Sequence, residues 1–259
     1  MTRPANDSSA AQALLPSPLA VPAKDRLAVA LDFPSAATAL DLVDRLDGSC
    51  RWFKVGMELF YASGAGLVHT LRDRGFEVFL DLKLHDIPNT VAGAVRSVTG
   101  TGASLLTIHA SGGERMMQAA AEAAQQAGAP RLLAVTVLTS MDGADLNGVG
   151  VLATPGDQVM RLARLAQLSG ITGMVCSPQE VCSLRAALAP ETMLVVPGIR
   201  SSGDTVGDQR RVATPASAIR DGASLLVVGR PITQAADPAA AAAAILREID
   251  AASEAPSLA

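Results

Sequence analysis

The chain has 259 residues, of which 49% are hydrophobic and 18% are charged, and its formal net charge is −4. This composition excludes a disordered chain, and the acidic balance lacks the basic footprint of a nucleic-acid-binding protein. No apolar run reaches the roughly 18–20 residues that a membrane-spanning helix needs, so we expect no membrane partner.

The N-terminal segment and the cysteines bear on where the protein resides. Residues 1–23 are rich in alanine, proline and serine, and we interpret them as a mobile N-terminal arm. They are not typical of a signal peptide; a transit peptide is the alternative, although arginine is scarce there. The cysteines at 50, 176 and 182 form no CxxC pair, which indicates reduced thiols and a cytoplasmic location.

Short apolar runs alternate with alanine- and leucine-rich helical segments from Arg26 onward. Strands are predicted at residues 26–32, 50–56, 77–84, 104–110, 131–138, 173–177, 192–199 and 224–230. Their near-continuous apolar character is typical of parallel strands that are buried on both faces. The sequence therefore predicts a largely or wholly parallel sheet.

A helical segment follows each predicted strand. The first begins at Ser35, a suitable N-cap residue, and ends at Gly48. The second, residues 58–75, is predicted as one helix that ends at Gly75. Several other segments also end in glycine before the next strand, as connections from a helix to a strand often do.

Eight strand–helix units with right-handed crossovers favour a closed barrel over an open, doubly wound sheet. We therefore predict an α/β fold, a single-domain (β/α)8 TIM barrel over residues 24–250, followed by a loose C-terminal tail at 251–259. No GxGxxG follows the first strand and no GxxxxGK[ST] occurs in the chain. These absences count against a dinucleotide-binding fold and a P-loop fold.

Charged residues lie at the carboxyl ends of the second and third strands, where a barrel of this kind has its active site. Asp81 and Lys83 are two residues apart on one strand, so their side chains project to the same face. Lys54 on the neighbouring strand can join them, and Asp86 can add a second carboxylate. Carboxylates favour the ammonium form of a lysine, which makes Lys83 a proton donor. The alternative is a purely structural network of ion pairs.

A second group of residues points to a phosphate site. Gly229 and Arg230 end the eighth strand, and Arg200 and Gln209 follow the seventh. Loops after these two strands commonly hold a phosphate in such barrels, although an arginine at the rim is an equally simple reading of Arg230 alone. The three histidines show no HxH or HExxH spacing, so no metal site is predicted.

Seven segments resemble the orotidine 5'-phosphate decarboxylase family. They are DLKLHDIPNT at 81–90, LDF at 31–33, FKVG at 53–56, VLTSM at 137–141, PGIR at 197–200, GDQRR at 207–211 and VVGRPI at 227–232. They occur in the family's order, and the resemblance covers residues 26–250. It implies decarboxylation of orotidine 5'-monophosphate to uridine 5'-monophosphate and CO2, without a cofactor.

The resemblance also implies roles for individual residues. Lys83 is the proton donor to C6 and Asp81 lies beside the substrate carboxylate. Asp32 and Lys54 contact the ribose hydroxyls, and Thr139 and Ser140 hold the pyrimidine edge. Arg200, Gln209, Gly229 and Arg230 serve the phosphate. Asp86, Ile87 and Thr90 reach into the active site of a second subunit, which implies a homodimer with shared active sites.

Other enzymes of related barrels and a non-catalytic function stay open at this point. Metal-dependent sugar-phosphate decarboxylases and hexulose phosphate synthases share D-x-K-x-x-D on the third strand, but they usually continue with small residues where this chain has Ile87-Pro88-Asn89-Thr90. A ribulose-phosphate epimerase would need paired histidines and carboxylates that are not evident. A non-catalytic barrel that binds a phosphate ligand is the other alternative, although a binding module has little need for a buried proton donor.

Overall fold

Eight parallel strands close into a barrel in chain order in the computed structural model, which describes residues 21–46, 48–200 and 211–254. The strands are β1 (Leu27–Ala30), β2 (Trp52–Gly56), β3 (Glu77–Leu84), β4 (Leu105–His109), β5 (Arg131–Val135), β6 (Gly173–Val175), β7 (Met193–Val196) and β8 (Leu225–Val228). Helices connect successive strands, so the predicted (β/α)8 barrel is confirmed.

The helices occupy the connections between the strands and the C-terminal end of the described chain. They are α1 (Ala36–Arg45), α2 (Met57–Ser63), α3 (Ala65–Asp73), α4 (Pro88–Thr99), α5 (Glu114–Ala123), α6 (Gly143–Gly148), α7 (Pro155–Leu168), α8 (Val181–Ala187), α9 (Pro215–Arg220), α10 (Arg230–Thr233) and α11 (Pro238–Glu254). Short 3-10 helices lie at Ala23–Asp25, Ala110–Gly112 and Pro178–Glu180. Within the described ranges, no helix combines the length and the apolar character that crossing a bilayer requires.

Two helix predictions have different outcomes. Ser35 caps α1 as predicted, because its side chain accepts a hydrogen bond from the Thr38 N–H at 3.3 Å. The single helix predicted at 58–75 is wrong, because Gly64 divides it into α2 and α3. Gly64 has a φ of 64°, a left-handed conformation that glycine adopts easily and that cannot continue a helix.

The ends of the described chain differ slightly from the predicted boundaries. Helix α11 continues to Glu254, so residues 251–254 belong to the last helix and not to a loose tail. At the other end, Ala23 lies in a 3-10 helix and packs in the core, although it was assigned to the arm. Residues 1–20 of the predicted arm and residues 255–259 of the predicted tail lie outside the described residues.

The barrel interior is apolar toward the amino ends of the strands and polar toward their carboxyl ends. A cluster of inward-facing apolar side chains fills the first part: Ala28, Ala30, Phe79, Leu105, Leu133, Val195, Leu225 and Val227. On β3 and β4, the next inward positions toward the carboxyl end carry Asp81 and Thr107 instead. A packed floor therefore supports polar groups at the barrel mouth.

Arginines close the opposite end of the barrel, where the strands begin. Arg26 is buried and donates to the Ala223 carbonyl at 2.6 Å. Arg185 donates to the Gly222 carbonyl at 2.8 Å and to the Thr192 carbonyl at 2.9 Å. These carbonyl groups precede β7 and β8, so the guanidinium groups tie the starts of neighbouring strands together.

Gly173, the first residue of β6, provides a test of barrel packing. A Cβ atom here would overlap the Leu133 side chain and lie 2.9 Å from the Leu132 carbonyl oxygen. We expect Gly173→Ala to lower the free energy of unfolding in urea by about 1–3 kcal/mol, the usual cost of overpacking. Gly66→Ala in α3 is the control, because nothing lies within 4 Å of its added methyl group. Equal unfolding free energies for the two variants would contradict this account.

Candidate active site

A cavity of about 690 Å³ opens at the carboxyl ends of the strands, a volume that suits a small-molecule ligand. Nine residues predicted for the site line it: Asp32, Lys54, Asp81, Lys83, Thr139, Ser140, Arg200, Gly229 and Arg230. They come from the ends of β1, β2, β3, β5, β7 and β8 and the loops that follow them. The structure therefore brings these predicted residues together in one place. Gln209 lies outside the described residues.

The cluster of Asp32, Lys54, Asp81 and Lys83 forms a chain of alternating charges. Lys83 Nζ donates to both carboxylate oxygens of Asp81, at 2.8 Å each. Lys54 Nζ donates to Asp32 Oδ1 at 2.9 Å and lies 3.6 Å from Asp81 Oδ2. Only 11% of the Lys54 side chain and 14% of the Asp81 side chain are exposed, so these ions are largely removed from water. The predicted meeting of residues 54, 81 and 83 in one pocket is confirmed.

The charges around Asp81 determine its ionisation. Burial alone would favour the neutral acid, but Lys54 and Lys83 act against it, together with hydrogen bonds from Lys83 and Thr107. The net result is that the pKa of Asp81 lies below its ordinary value. Asp81 is therefore a carboxylate at neutral pH, paired with the ammonium group of Lys83.

Lys83 has an unusual backbone. Its φ is 51°, and it is the non-glycine residue with a positive φ among the described residues. A left-handed conformation of this kind is uncommon outside glycine and tends to occur at functional positions. It lies in an irregular part of the sheet, because the pairing of β3 with β4 shifts register between Leu80 and Leu84. The alternation of side chains along a strand predicted that Asp81 and Lys83 meet, but it did not predict this bulge.

Sequence reasoning missed two residues that shape the cluster. Thr107 on β4 hydrogen-bonds both Asp81 and the Lys83 backbone. Gly56 ends β2, and a Cβ there would lie 3.2 Å from Lys54 Nζ and 3.3 Å from Asp32 Oδ1. Gly56 thus leaves room for this ion pair. Gly56 lies two residues after Lys54, on the same face of the strand, and this spacing could have indicated its place in the site. Nothing in the sequence marks Thr107 as a site residue, because threonine is common in strands.

The other walls of the cavity differ in character. Val135 at the end of β5, Val137 just after it and Val175 at the end of β6 form an apolar wall beside Thr139 and Ser140. The guanidinium groups of Arg200, after β7, and of Arg230, the first residue of α10, also line the cavity. Gly229 is the N-cap residue of α10. The cavity therefore combines an acid–ammonium cluster, an apolar wall and arginines suited to an anion.

Asp86, Ile87 and Thr90 occupy a different place. All three are exposed, and none lines the cavity of its own chain in the part of the chain that the structure describes. Asp86 Oδ1 accepts a hydrogen bond from the Ile87 N–H at 2.6 Å. Within one chain, Asp86 therefore does not add the second carboxylate that was considered for this cavity.

Two of the three histidines, His85 and His109, lie close together at the rim. The rings of His85 and His109 are 5.4 Å apart between centroids. Burial lowers the pKa of His109, and His85 and Lys83 act in the same direction. Across residues 21–46, 48–200 and 211–254, no three histidine, cysteine or acidic side chains are grouped so as to hold a metal ion.

Comparisons with known proteins agree over most of the chain. A model described as the orotidine 5'-phosphate decarboxylase / HUMPS family matches residues 25–245. Orotidine 5'-phosphate decarboxylase from Halorhodospira halophila is 53% identical, covering 90% of this chain and all of that protein. The Moorella thermoacetica enzyme of the same name is 50% identical, covering 88% of this chain and 93% of that protein. The crystal structure of the Lactobacillus acidophilus enzyme matches with a TM-score of 0.78 and 39% identity, covering 87% of this chain and 99% of that one.

Proposed function

The chain belongs to the orotidine 5'-phosphate decarboxylase / HUMPS family, and from this we propose that it is a carboxy-lyase of pyrimidine biosynthesis. It converts orotidine 5'-monophosphate to uridine 5'-monophosphate and CO2. The observation that carries the proposal is the ammonium group of Lys83, held by both oxygens of Asp81 inside the cavity. The family includes more than one kind of enzyme, but relatives about 50% identical to this chain are orotidine 5'-phosphate decarboxylases.

Lys83 supplies the chemistry of the step. When the bond between C6 and the carboxylate breaks, CO2 leaves and the electron pair stays on C6, where no ring carbonyl is placed to take it up. A fixed ammonium group beside C6 stabilises this charge and then donates a proton to C6. The lysine becomes a neutral amine and recovers its proton from solvent.

Asp81 has two roles in this proposal. It holds the Lys83 ammonium through two hydrogen bonds of 2.8 Å. Because its pKa is lowered, it is also a negative charge beside the substrate carboxylate. Repulsion between the two carboxylates disfavours the bound substrate and is relieved as CO2 departs.

The other residues predicted for the site bind the nucleotide in this proposal. Arg200, Gln209, Gly229 and Arg230 hold the phosphate, since arginine matches phosphate oxygens with paired donors. Asp32 and Lys54 contact the ribose hydroxyls, and Thr139 and Ser140 contact the pyrimidine edge. Phosphate contacts far from C6 provide binding energy that positions the reacting carbon.

A second subunit completes each site in this proposal. Ile87 is 67% exposed, and Asp86 and Thr90 near it are also exposed. A symmetric homodimer would cover Ile87 and bring Asp86 to the partner's cavity. We also propose a cytoplasmic location, which the free state of all three cysteines supports.

Turnover by metal-free protein tests the proposed function. We expect the purified protein to decarboxylate orotidine 5'-monophosphate at the same rate with and without a chelator. The absorbance change of the pyrimidine ring measures this rate. The proton donor is the Lys83 ammonium group, so no step of this proposal needs a metal. Absence of turnover would contradict the assignment. Chelator-sensitive turnover of a sugar phosphate would favour the metal-dependent alternative.

A further inference from the structure

Thr107 connects the two central residues of the cluster through one hydroxyl group. It lies on β4, inside the barrel, and is fully buried. Its Oγ1 accepts a hydrogen bond from the backbone N–H of Lys83 at 2.8 Å. The same hydroxyl donates to Asp81 Oδ1 at 3.1 Å. A single side chain thus contacts both the backbone of the ammonium-bearing residue and the carboxylate that holds the ammonium.

The bulge in β3 explains why a side chain is needed here. Leu80 pairs with Leu106 and Leu84 pairs with Ile108, so the bulged stretch of β3 has more residues than the stretch of β4 that faces it. The Lys83 N–H points to the Thr107 side chain instead of a strand carbonyl. A partly buried N–H without a partner is unfavourable, so this hydroxyl supports the left-handed backbone of Lys83.

The hydroxyl also limits the rotation of the Asp81 carboxylate. Oδ1 accepts from Thr107 and from Lys83, while Oδ2 accepts from Lys83 and lies 3.6 Å from Lys54 Nζ. With donors on both oxygens, the carboxylate has one favoured orientation. That orientation in turn directs the Lys83 ammonium.

We propose that Thr107 is a positioning residue for the decarboxylation, and this inference rests on the proposed function. Its hydroxyl fixes the backbone of Lys83 and the carboxylate of Asp81 together, so the ammonium group meets C6 at the required distance and angle. The role needs one atom that both accepts and donates a hydrogen bond, which a hydroxyl does and an aliphatic group does not. Small displacements of a reacting group lower rates steeply, so the effect is on kcat.

Removing only the hydroxyl tests the proposal. Thr107→Val keeps the shape of the side chain, and we expect it to lower kcat by about 10- to 100-fold with KM within about threefold of wild type. Thr107→Ser keeps the hydroxyl, and its kcat should stay within about threefold of wild type. Thr136→Val is the matched control, because Thr136 is also buried but donates to the Val175 carbonyl, away from Asp81.

The pH profile separates positioning from a loss of stability. Lys54 on β2, Lys83 on β3 and His109 on β4 are the cationic or titratable groups near Asp81. Thr107→Val removes a hydrogen bond that favours the ionised form of Asp81. The acid limb of kcat/KM should therefore move to higher pH in this variant, and should stay at the wild-type pH in Thr136→Val.

The outcomes are distinguishable from failure of the proposed function. Turnover by the wild-type protein tests that function, and the variants are then compared with it. A kcat for Thr107→Val equal to that of Thr136→Val, with an unchanged acid limb, would overturn the positioning role. If Thr107→Val does not fold, Thr107→Cys against Thr107→Ser keeps the test, because sulfur hydrogen-bonds weakly at similar size. Equal kcat values for these two variants would overturn it as well.

Discussion

Lys83→Ala is expected to lower kcat for orotidine 5'-monophosphate by at least about 10⁴-fold, because one change removes both the proton donor and the cation that stabilises the carbanion. Binding of uridine 5'-monophosphate should weaken by less than about tenfold, since the phosphate contacts lie elsewhere in the cavity. Steady-state kinetics and calorimetric titration measure the two quantities. Uridine, which lacks the phosphate, should bind far more weakly than the nucleotide to both proteins.

Lys24→Ala provides the control for Lys83→Ala. Lys24 is exposed and lies before β1, at the end of the barrel opposite the cavity. The chain has only three lysines, Lys24, Lys54 and Lys83, so this variant changes the one lysine outside the site. Lys24→Ala should keep wild-type kinetics. Near-normal turnover by Lys83→Ala would show that another group donates the proton.

Mixing two inactive variants is expected to restore activity if each site uses two subunits. Lys83→Ala removes the donor from one chain's cavity, and Asp86→Ala removes the carboxylate proposed to enter the partner's cavity. A heterodimer of these variants has one site with both residues intact. With random pairing, half of the dimers are heterodimers, so co-expression should give about a quarter of the wild-type activity per site.

A second mixture controls for this recovery. Asp81 and Lys83 contact each other within one chain, at 2.8 Å. A heterodimer of Asp81→Asn with Lys83→Ala therefore has no complete site and should stay inactive. Absence of recovery in the first mixture, or an active species that sediments as a monomer, would contradict shared sites.

The charged cluster could be predicted from the sequence because the prediction depends only on the local geometry of a strand. Residues two apart on a strand share a face, and Lys54 lies on the neighbouring strand, so 54, 81 and 83 meet. The same rule cannot predict a bulge, and the left-handed backbone of Lys83 depends on how β3 pairs with β4. The role proposed for Thr107 depends on that pairing, which the pattern of one strand does not contain.

Two other differences have similar physical causes. The pattern around Gly64 is helical on both sides, so periodicity alone predicts one helix, while the observed break depends on the backbone conformation of a single glycine. Asp86 is close to Asp81 and Lys83 in sequence, which suggested one cluster. In the folded chain it is exposed and outside the cavity, because β3 has ended before it.

Arg26 and Arg185 at the base of the barrel and Lys54 and Lys83 at its mouth have roles that match their chemistry. A guanidinium group keeps its proton throughout the physiological range, so Arg26 and Arg185 hold strand starts without ever exchanging charge. An ammonium group can release a proton and regain it, which suits the mouth. Architecture and reactivity are thus assigned to different ends of one molecule.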